Sequence, residues 1–505
     1  MLLKILLTLS LFSQNVLAIV ALDPIGLHVP AILRGFLMGT QAAVNSLQNN
    51  VDNGNYTFNI KKNYQLIVPG YEIKPQFIWK GENIYDWSAG DWLIGNSSNT
   101  TGWIQQNGLL LRGHNLLWAR DQSIPKWLIQ QEASITPNKA KSLLSDYIHA
   151  VVSRYRGKIA WWDVVNEAID DKNNTNPYNL RDNFWFRKLG VDFMKYAFIF
   201  AHEADPNSQL YYNDYAIEAV GAKSAHLLEL VQWLRSQQVP INAIGMQWHI
   251  DVAKNVTPGD AHYQSAQNII DAGLNFTVTE LDISIPMKDG QPIRPEDIEK
   301  QGVIYRSILH YALHFYPRCP AMLTWGFTDR YSWIPDFWNH TRGEALPLDK
   351  TYQPKPAYWQ MQEELARVLS DGTYRLSPQS LPNKCLGTST QSTSTVQLYD
   401  ECNQPNQKWN VTWLGDGTYR LSPLSANDRV LAAYNLTAPV GEVLTSEWSG
   451  DASQEWVLTM KDTNQYRFGP RGAWERVLGL YATNNIGIVD DTHSVNQQWI
   501  LVNAN

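Results

Sequence analysis

Short apolar runs alternate with amphipathic stretches through the first two thirds of the chain. Eight runs read as buried strands: Phe36–Thr40, Ile67–Lys74, Leu109–Trp118, Ala160–Glu167, Gln209–Asp214, Ala243–His249, Phe276–Asp282 and Ala321–Thr328. Segments with helical spacing lie between most of them, among them Asn138–Arg156, Trp185–Glu203 and Ala219–Gln237. Strand–helix alternation on this scale predicts an α/β fold, an eight-fold β/α (TIM) barrel, with chemistry at the C-terminal ends of the strands. Polar residues recur at those ends: Lys74, His114, Asn166 with Glu167, Asp214, Gln247 with His249, Glu280 with Asp282, and the indole of Trp325. One strand ending this way carries little information; seven make a pattern.

After a final helix to about Leu369 the helical period disappears, and Ser, Thr, Asn and Gly dominate. Tyr374-Arg375-Leu376-Ser377-Pro378 recurs as Tyr419-Arg420-Leu421-Ser422-Pro423 and, more loosely, as Tyr466-Arg467-Phe468-Gly469-Pro470. Each copy closes on Gln-x-Trp, at Gln407–Trp409, Gln454–Trp456 and Gln497–Trp499. Three short-stranded units with one buried Trp each predict a threefold all-β module. The expected domains are a leader at 1–18, a barrel at 19–369 and an all-β domain at 370–505.

Composition narrows the function. At 505 residues the chain exceeds one ordinary domain. Its formal net charge of −7 and lack of a basic block argue against nucleic acid. With 21 Trp, 24 Tyr and 14 Phe it is rich in rings that could stack on sugars, although a large core also consumes such residues. Residues 1–18 have the form of a secretory signal: Lys4, an apolar run, then Val16-Leu17-Ala18. No later segment is apolar enough to span a membrane. The chain is expected to be secreted, extracellular, off the membrane and monomeric. Nine Asn-x-Ser/Thr triplets, at Asn55, Asn96, Asn99, Asn173, Asn255, Asn275, Asn339, Asn410 and Asn435, fit export and glycosylation. Cys385 and Cys402 could pair, leaving Cys319 as a buried thiol. No metal or cofactor motif is present, and none is expected.

The candidate chemistry is a pair of carboxylates. Glu167 and Glu280 each end an apolar run, where a buried carboxylate is costly unless it faces a cleft or has partners. Two strand-end glutamates facing each other are the apparatus of glycoside hydrolysis. Their bland alternative is a pair of capping or ion-paired glutamates.

Residues from about Phe36 to Leu365 resemble glycoside hydrolase family 10, the β-1,4-xylanases of the β/α-barrel type. The matching motifs are Arg112-Gly113-His114-Asn115-Leu116-Leu117-Trp118, Trp162–Ala168, Asn213-Asp214-Tyr215, Gly245–His249, Thr279–Asp282 and Trp325–Trp333. Residues 370–505 resemble a ricin-type β-trefoil, whose within-repeat disulfide Cys385 and Cys402 fit. The first resemblance implies Glu167 as general acid/base and Glu280 as nucleophile of a retaining mechanism, with carboxyl groups about 5–5.5 Å apart and the acid kept protonated by its neighbour. It implies that His249, held by Asp282, contacts Glu280, and that Asn166 donates to the sugar 2-hydroxyl. Lys74, His114 and Gln247 then bind the sugars on the glycone side, Trp118, Trp325 and Trp333 form aromatic walls, and Tyr215 and Tyr71 join the substrate-binding set.

Two departures bear on specificity. Where that family carries Pro-Glu-Asn, this chain has Pro69-Gly70-Tyr71, and where it carries Trp-His, this chain has Trp118-Ala119. Neither touches the two glutamates. The expected activity is endo-hydrolysis of xylan, with a broader β-1,4-glycanase acting also on glucan, or a non-catalytic carbohydrate-binding protein, as alternatives. In the trefoil-like domain the family's sugar-binding Asp is replaced by Gly387, Ala432 and Gly479, so only weak glycan binding is expected there, with Tyr399 and Trp448 as candidate stacking plates.

Overall fold

The computed structural model describes residues 26–96, 100–254, 257–389, 394–414, 417–426, 428–462, 464–473, 476–482 and 485–504. The leader at 1–18 and the triplets at Asn99 and Asn255 lie outside the described residues. The chain divides into two compact units, one spanning Phe36–Tyr358 and the other containing Trp359–Asn505.

The first unit is built on eight strands: β1 Leu37–Ala42, β2 Leu66–Pro69, β3 Leu110–Trp118, β4 Trp161–Asn166, β5 Gln209–Asp214, β6 Ala243–Met246, β7 Asn275–Lys288 and β8 Ala321–Thr324. Each pairs in parallel with the next, β8 with β1 and β6 with β7, so the sheet closes. A closed parallel sheet has no free edge and needs helices outside it. The sequence supplies them. Helix Pro137–Arg154 starts with Thr136 accepting the amide of Lys139 and Pro137 at its first position, and buries Ala140, Leu143, Leu144, Tyr147, Ile148, Val151 and Val152 at helical spacing. The interior alternates with the strands. Leu37, Leu66, Val68, Trp161, Tyr211, Ala243, Ala321 and Leu323 fill one end as an apolar plug, and further along the same faces polar side chains take over. Register shifts between His114 and Leu117 on β3, Asp163 and Val165 on β4, and Val278 and Leu281 on β7 re-aim the residues that follow.

Three expectations are corrected. Strand β2 ends at Pro69, so Lys74 sits not on a strand but just before the helix Pro75–Ile78. The segment expected as one helix from Trp185 is two, Phe184–Leu189 and Asp192–Ala204, broken at Gly190 with φ +58°. Strand β6 stops at Met246 because Trp248 turns the chain with φ +59°, and His249 begins a separate short strand, His249–Asp251.

The second unit contains a closed six-stranded barrel and three hairpins. The strands are β9 Gly372–Pro378, β10 Cys385–Thr388, β11 Val396–Tyr399, β12 Trp409–Trp413, β13 Tyr419–Pro423, β14 Arg429–Tyr434, β15 Glu442–Glu447, β16 Trp456–Asp462, β17 Gln465–Pro470, β18 Arg476–Ala482, β19 Asn485–Asp490 and β20 Trp499–Asn503. The barrel takes β9, β12, β13, β16, β17 and β20, and the hairpins are β10–β11, β14–β15 and β18–β19. Each repeat thus gives two barrel strands and one hairpin. The Trp of each Gln-x-Trp is fully buried, and its indole N–H donates to a hairpin carbonyl: Trp409 to Leu386 at 2.8 Å, Trp456 to Leu431 at 2.9 Å and Trp499 to Leu478 at 2.9 Å. Cys385 and Cys402 form a disulfide. Cys319, in the first unit, is fully buried, and burial pushes its thiol up to about 12.

Candidate active site

The ends of β3 to β6 and the middle of β7 converge on one polar group. Glu280, near the middle of β7, and Glu167, just past β4, are both buried, at 4% and 8% exposure. Glu167 lies in the left-handed region with φ +55°, a strained turn for a residue with a side chain. The two carboxyls are tied into one network by amides. Asn213 Nδ2, from β5, donates to Glu280 Oε1 at 2.7 Å and to Asn166 Oδ1 at 2.8 Å. Asn166 Nδ2 and Gln247 Nε2 each lie 3.3 Å from Glu167 Oε1, and Gln247 also reaches Asn166 Oδ1 at 3.3 Å. Asn213 is fixed in turn by Thr279 Oγ1, which donates to its Oδ1 at 2.7 Å. A side chain at position 245 would put its Cβ 2.0 Å from that oxygen, which is why Gly245 stands there.

The two glutamates have different neighbours. His249 Nε2 lies 3.2 Å from Glu280 Oε2, and its Nδ1 lies 2.9 Å from Asp282 Oδ2, which also accepts the Trp333 indole N–H at 2.8 Å. Burial alone would lower the basicity of His249, but Asp282 and Glu280 outweigh it and raise its pKa well above the ordinary value. Burial likewise works to raise the Glu280 carboxyl, yet the hydrogen bond from His249 and the nearby charge of His114 and His249 bring it below the usual range. Behind His114 sits a fully buried ion pair: Arg112 grips Asp163, and His114 Nδ1 lies 2.9 Å from Asp163 Oδ2. Burial would raise Asp163, but Arg112 and His114 keep it low.

Glu167 has a cation of its own. Arg120 Nε donates to Glu167 Oε2 at 2.7 Å, and Arg120 Nη2 donates to Tyr215 Oη at 2.8 Å. Asp214, the polar residue at the end of β5, accepts Tyr212 Oη at 2.5 Å and pairs with Lys223 at 2.9 Å. It braces the wall.

Lys74 is buried, its ammonium 4.7 Å from the Trp118 ring centre, 5.3 Å from Tyr71 and 5.7 Å from Trp325. Burial lowers its pKa to about 8 despite the carboxylates of Glu280 and Glu167 nearby. Trp325 meets His114 edge-on at 5.1 Å, and Trp333 meets His249 at 5.4 Å. Tyr71 is exposed and packs against Phe77. The space beside Gly70 holds the Gln41 amide: a Cβ on Gly70 would meet Gln41 Nε2 at 2.3 Å. Glu72 does not face the network, since its carboxylate accepts the amides of Val44 and Tyr71.

Asn213, Arg120, Asp163 and Gln41 were not singled out from the sequence. Asn213 had a signal, as a strand-end polar residue in the same pattern as Asp214. Asp163 and Arg112 lay in the quoted motifs. Arg120 and Gln41 had none, because their partners depend on which strands are neighbours. In the second unit Gly387 and Gly479 are crowded. A Cβ there would lie 2.7 Å from the Asn406 carbonyl and 3.0 Å from Gln497 Cγ respectively. Tyr399 donates to the Thr388 carbonyl at 2.7 Å, and Trp448 is partly exposed beneath the Arg420 guanidinium. Among the described residues no group of three or more His, Cys, Asp or Glu side chains could hold a metal ion.

Residues 31–364 match the profile of Glycosyl hydrolase family 10. The chain is 31% identical over 362 residues to endo-1,4-beta-xylanase B of Thermotoga neapolitana, covering 72% of this chain and 95% of that protein. It is 34% identical over 271 residues to an endo-1,4-beta-xylanase of Agaricus bisporus, covering 54% and 76%. Xylanase 10B of Thermotoga petrophila RKU-1, solved with xylobiose, superposes with a TM-score of 0.62 at 28% identity, over 69% of this chain and 99% of that one.

Proposed function

The chain belongs to glycosyl hydrolase family 10, and from that premise we propose that it is a secreted, retaining endo-hydrolase of β-1,4-xylan. The observation that carries the reading is the asymmetry of two carboxyls in one buried network: Glu280 is held ionised by His249, while Glu167 faces amides and a single guanidinium. In this reading Glu280 attacks the anomeric carbon and Glu167 gives its proton to the departing sugar oxygen. The covalent glycosyl–enzyme forms as the glycosidic bond breaks. Glu167, now ionised, takes a proton from water, whose oxygen displaces Glu280. Asn166 and Gln247 contact the reacting sugar, Lys74 and His114 bind the glycone side, and Trp118, Trp325 and Trp333 wall the cleft. Tyr71 and Tyr215 stand at its margins.

A second reading, activity extending to β-1,4-glucan, is favoured by one observation: the glycone-side position carries Gly70 and the neutral Gln41 amide in place of a charged side chain. The second unit fits a ricin-type β-trefoil by its three repeats and its disulfide, and its crowded Gly387 and Gly479 favour weak glycan binding at most. Export is supported by residues 1–18 and by triplets whose asparagines are exposed, at Asn55, Asn173, Asn339 and Asn435. The test is the product profile from arabinoxylan, glucuronoxylan and carboxymethylcellulose, run beside Glu280→Ala. Internal cleavage of the xylans that vanishes in the variant is expected. Turnover that survives in Glu280→Ala, or none in the parent, overturns the reading.

A further inference from the structure

Arg120 follows β3 and is one position beyond Ala119, outside every motif quoted above. Its guanidinium is pinned at two points, with Nε 2.7 Å from Glu167 Oε2 and Nη2 2.8 Å from Tyr215 Oη. The cations nearby are committed elsewhere. Arg181 pairs with Asp170 and Asp171, and Lys223 pairs with Asp171 and Asp214. Among the described residues Arg120 pairs with one carboxylate only, that of Glu167. The Tyr215 hydroxyl it leans on is itself held by Arg181 Nη2 at 2.9 Å and by Asp171, so the guanidinium sits on a braced support.

We propose that Arg120 is a positioning residue for the acid–base step, acting through Glu167 to set the alkaline edge of the working pH range. The inference rests on the reading of Glu167 as acid/base. Before the first step Glu167 must carry a proton. A guanidinium at 2.7 Å favours the ionised carboxylate and penalises that proton. Oε2 takes this charged donor, while Oε1 accepts the longer contacts of the Asn166 and Gln247 amides, both 3.3 Å. The other charged groups set against Glu167 are Asp214 and Lys74, with Arg181 next to Arg120; Tyr215 is the remaining titratable neighbour. Of these, Arg120 alone makes direct contact with the carboxyl oxygens. A neutral donor would hold the rotamer as well, so the charge of an arginine here has a consequence that a structural brace does not require: a pH dependence that changes when the charge is removed.

The test uses the full chain with Arg120→Met, Arg120→Lys and Glu167→Gln. The pH dependence of kcat/KM is measured on two aryl β-xylobiosides, one with phenol and one with 2,4-dinitrophenol as leaving group. Arg120→Met is expected to move the alkaline limb to higher pH by on the order of one unit on the phenyl substrate. Little should change on the dinitrophenyl substrate, whose leaving group needs no proton for the first step. Arg120→Lys is expected to keep the limb near its parental position. A limb that stays put in Arg120→Met, or an equal effect on both substrates, or an effect in KM alone, overturns the inference. The parent reading fails differently: Glu167→Gln would then lose both substrates equally. Glu167→Gln that spares only the dinitrophenyl substrate, beside an unmoved limb in Arg120→Met, sinks this inference and leaves the acid/base assignment standing.

Discussion

Replacing Asn213 by Ala tests the link between the two carboxyls. Asn213 is fully buried, and its amide serves three partners: Glu280 Oε1 at 2.7 Å, Asn166 Oδ1 at 2.8 Å and Thr279 Oγ1 at 2.7 Å. Asn166 Oδ1 keeps a contact from Gln247 at 3.3 Å, but Thr279 Oγ1 loses the oxygen it donates to. A buried polar group left unpaired costs about 1–3 kcal/mol, and a hydrogen bond to a charged group contributes about 1.5–3 kcal/mol. If the bond to Glu280 aligns the nucleophile, its loss lowers kcat by roughly 10- to 150-fold with KM little changed. The fold should lose on the order of 2 kcal/mol. The assay is steady-state hydrolysis of an aryl β-xylobioside, well below the melting transition and with near-ultraviolet circular dichroism as the control for packing. Asn213→Asp keeps the shape but faces Glu280 with an acceptor where a donor stood, so it should be worse than alanine at neutral pH. A folded Asn213→Ala variant with kcat within about threefold of the parent would refute the alignment argument.

Three further outcomes follow from the same geometry. His249→Ala removes the group that holds Glu280 below the usual carboxylate range; the ionised form is then reached only at higher pH, so the acid limb of kcat/KM should move up, and a limb that moves down or stays contradicts this. Lys74→Met should raise stability by on the order of 3 kcal/mol while impairing substrate binding, because a lysine lowered to about 8 from 10.5 is charged at a cost. That gain is full below pH 8 and shrinks as pH rises toward 10.5, where the unfolded chain also gives up its proton, and urea unfolding at pH 7 and pH 10 checks both points. Cys402→Ser opens the link between residues 17 apart and should destabilise the second unit by about 3 kcal/mol, leaving kcat on soluble xylan unchanged; calorimetry with parallel kinetics reads both.

Much of this was legible in the chain because a barrel strand is buried on both faces and reads as an unbroken apolar run. All eight were placed, and the two glutamates stood out as charges in such runs, although β7 does not end near Glu280 as expected but runs on to Lys288. The errors lie where local chemistry interrupts a run. Pro69 ends β2, so Lys74 reaches the site from a loop. Trp248 turns left-handed and detaches His249 from β6. Gly190 breaks a helix whose apolar spacing continues past it. What could not be read was pairing between strands. Asn166 and Asn213 are register partners on β4 and β5, and only that adjacency shows that Asn213 bridges to Glu280. Arg120 is similar: its meaning comes from Tyr215 and Glu167, 95 and 47 positions away. The repeats of the second unit needed no such adjacency, because each copy carries its own buried Trp.

The central claim is double displacement by Glu280 and Glu167, and the stereochemistry of the first product tests it most directly. Proton NMR of xylo-oligosaccharide cleavage in D2O, followed from the first minutes, should show the new reducing end as the β-anomer ahead of mutarotation. An α-anomer appearing first would mean a single inverting displacement, and would contradict the roles given to both carboxylates.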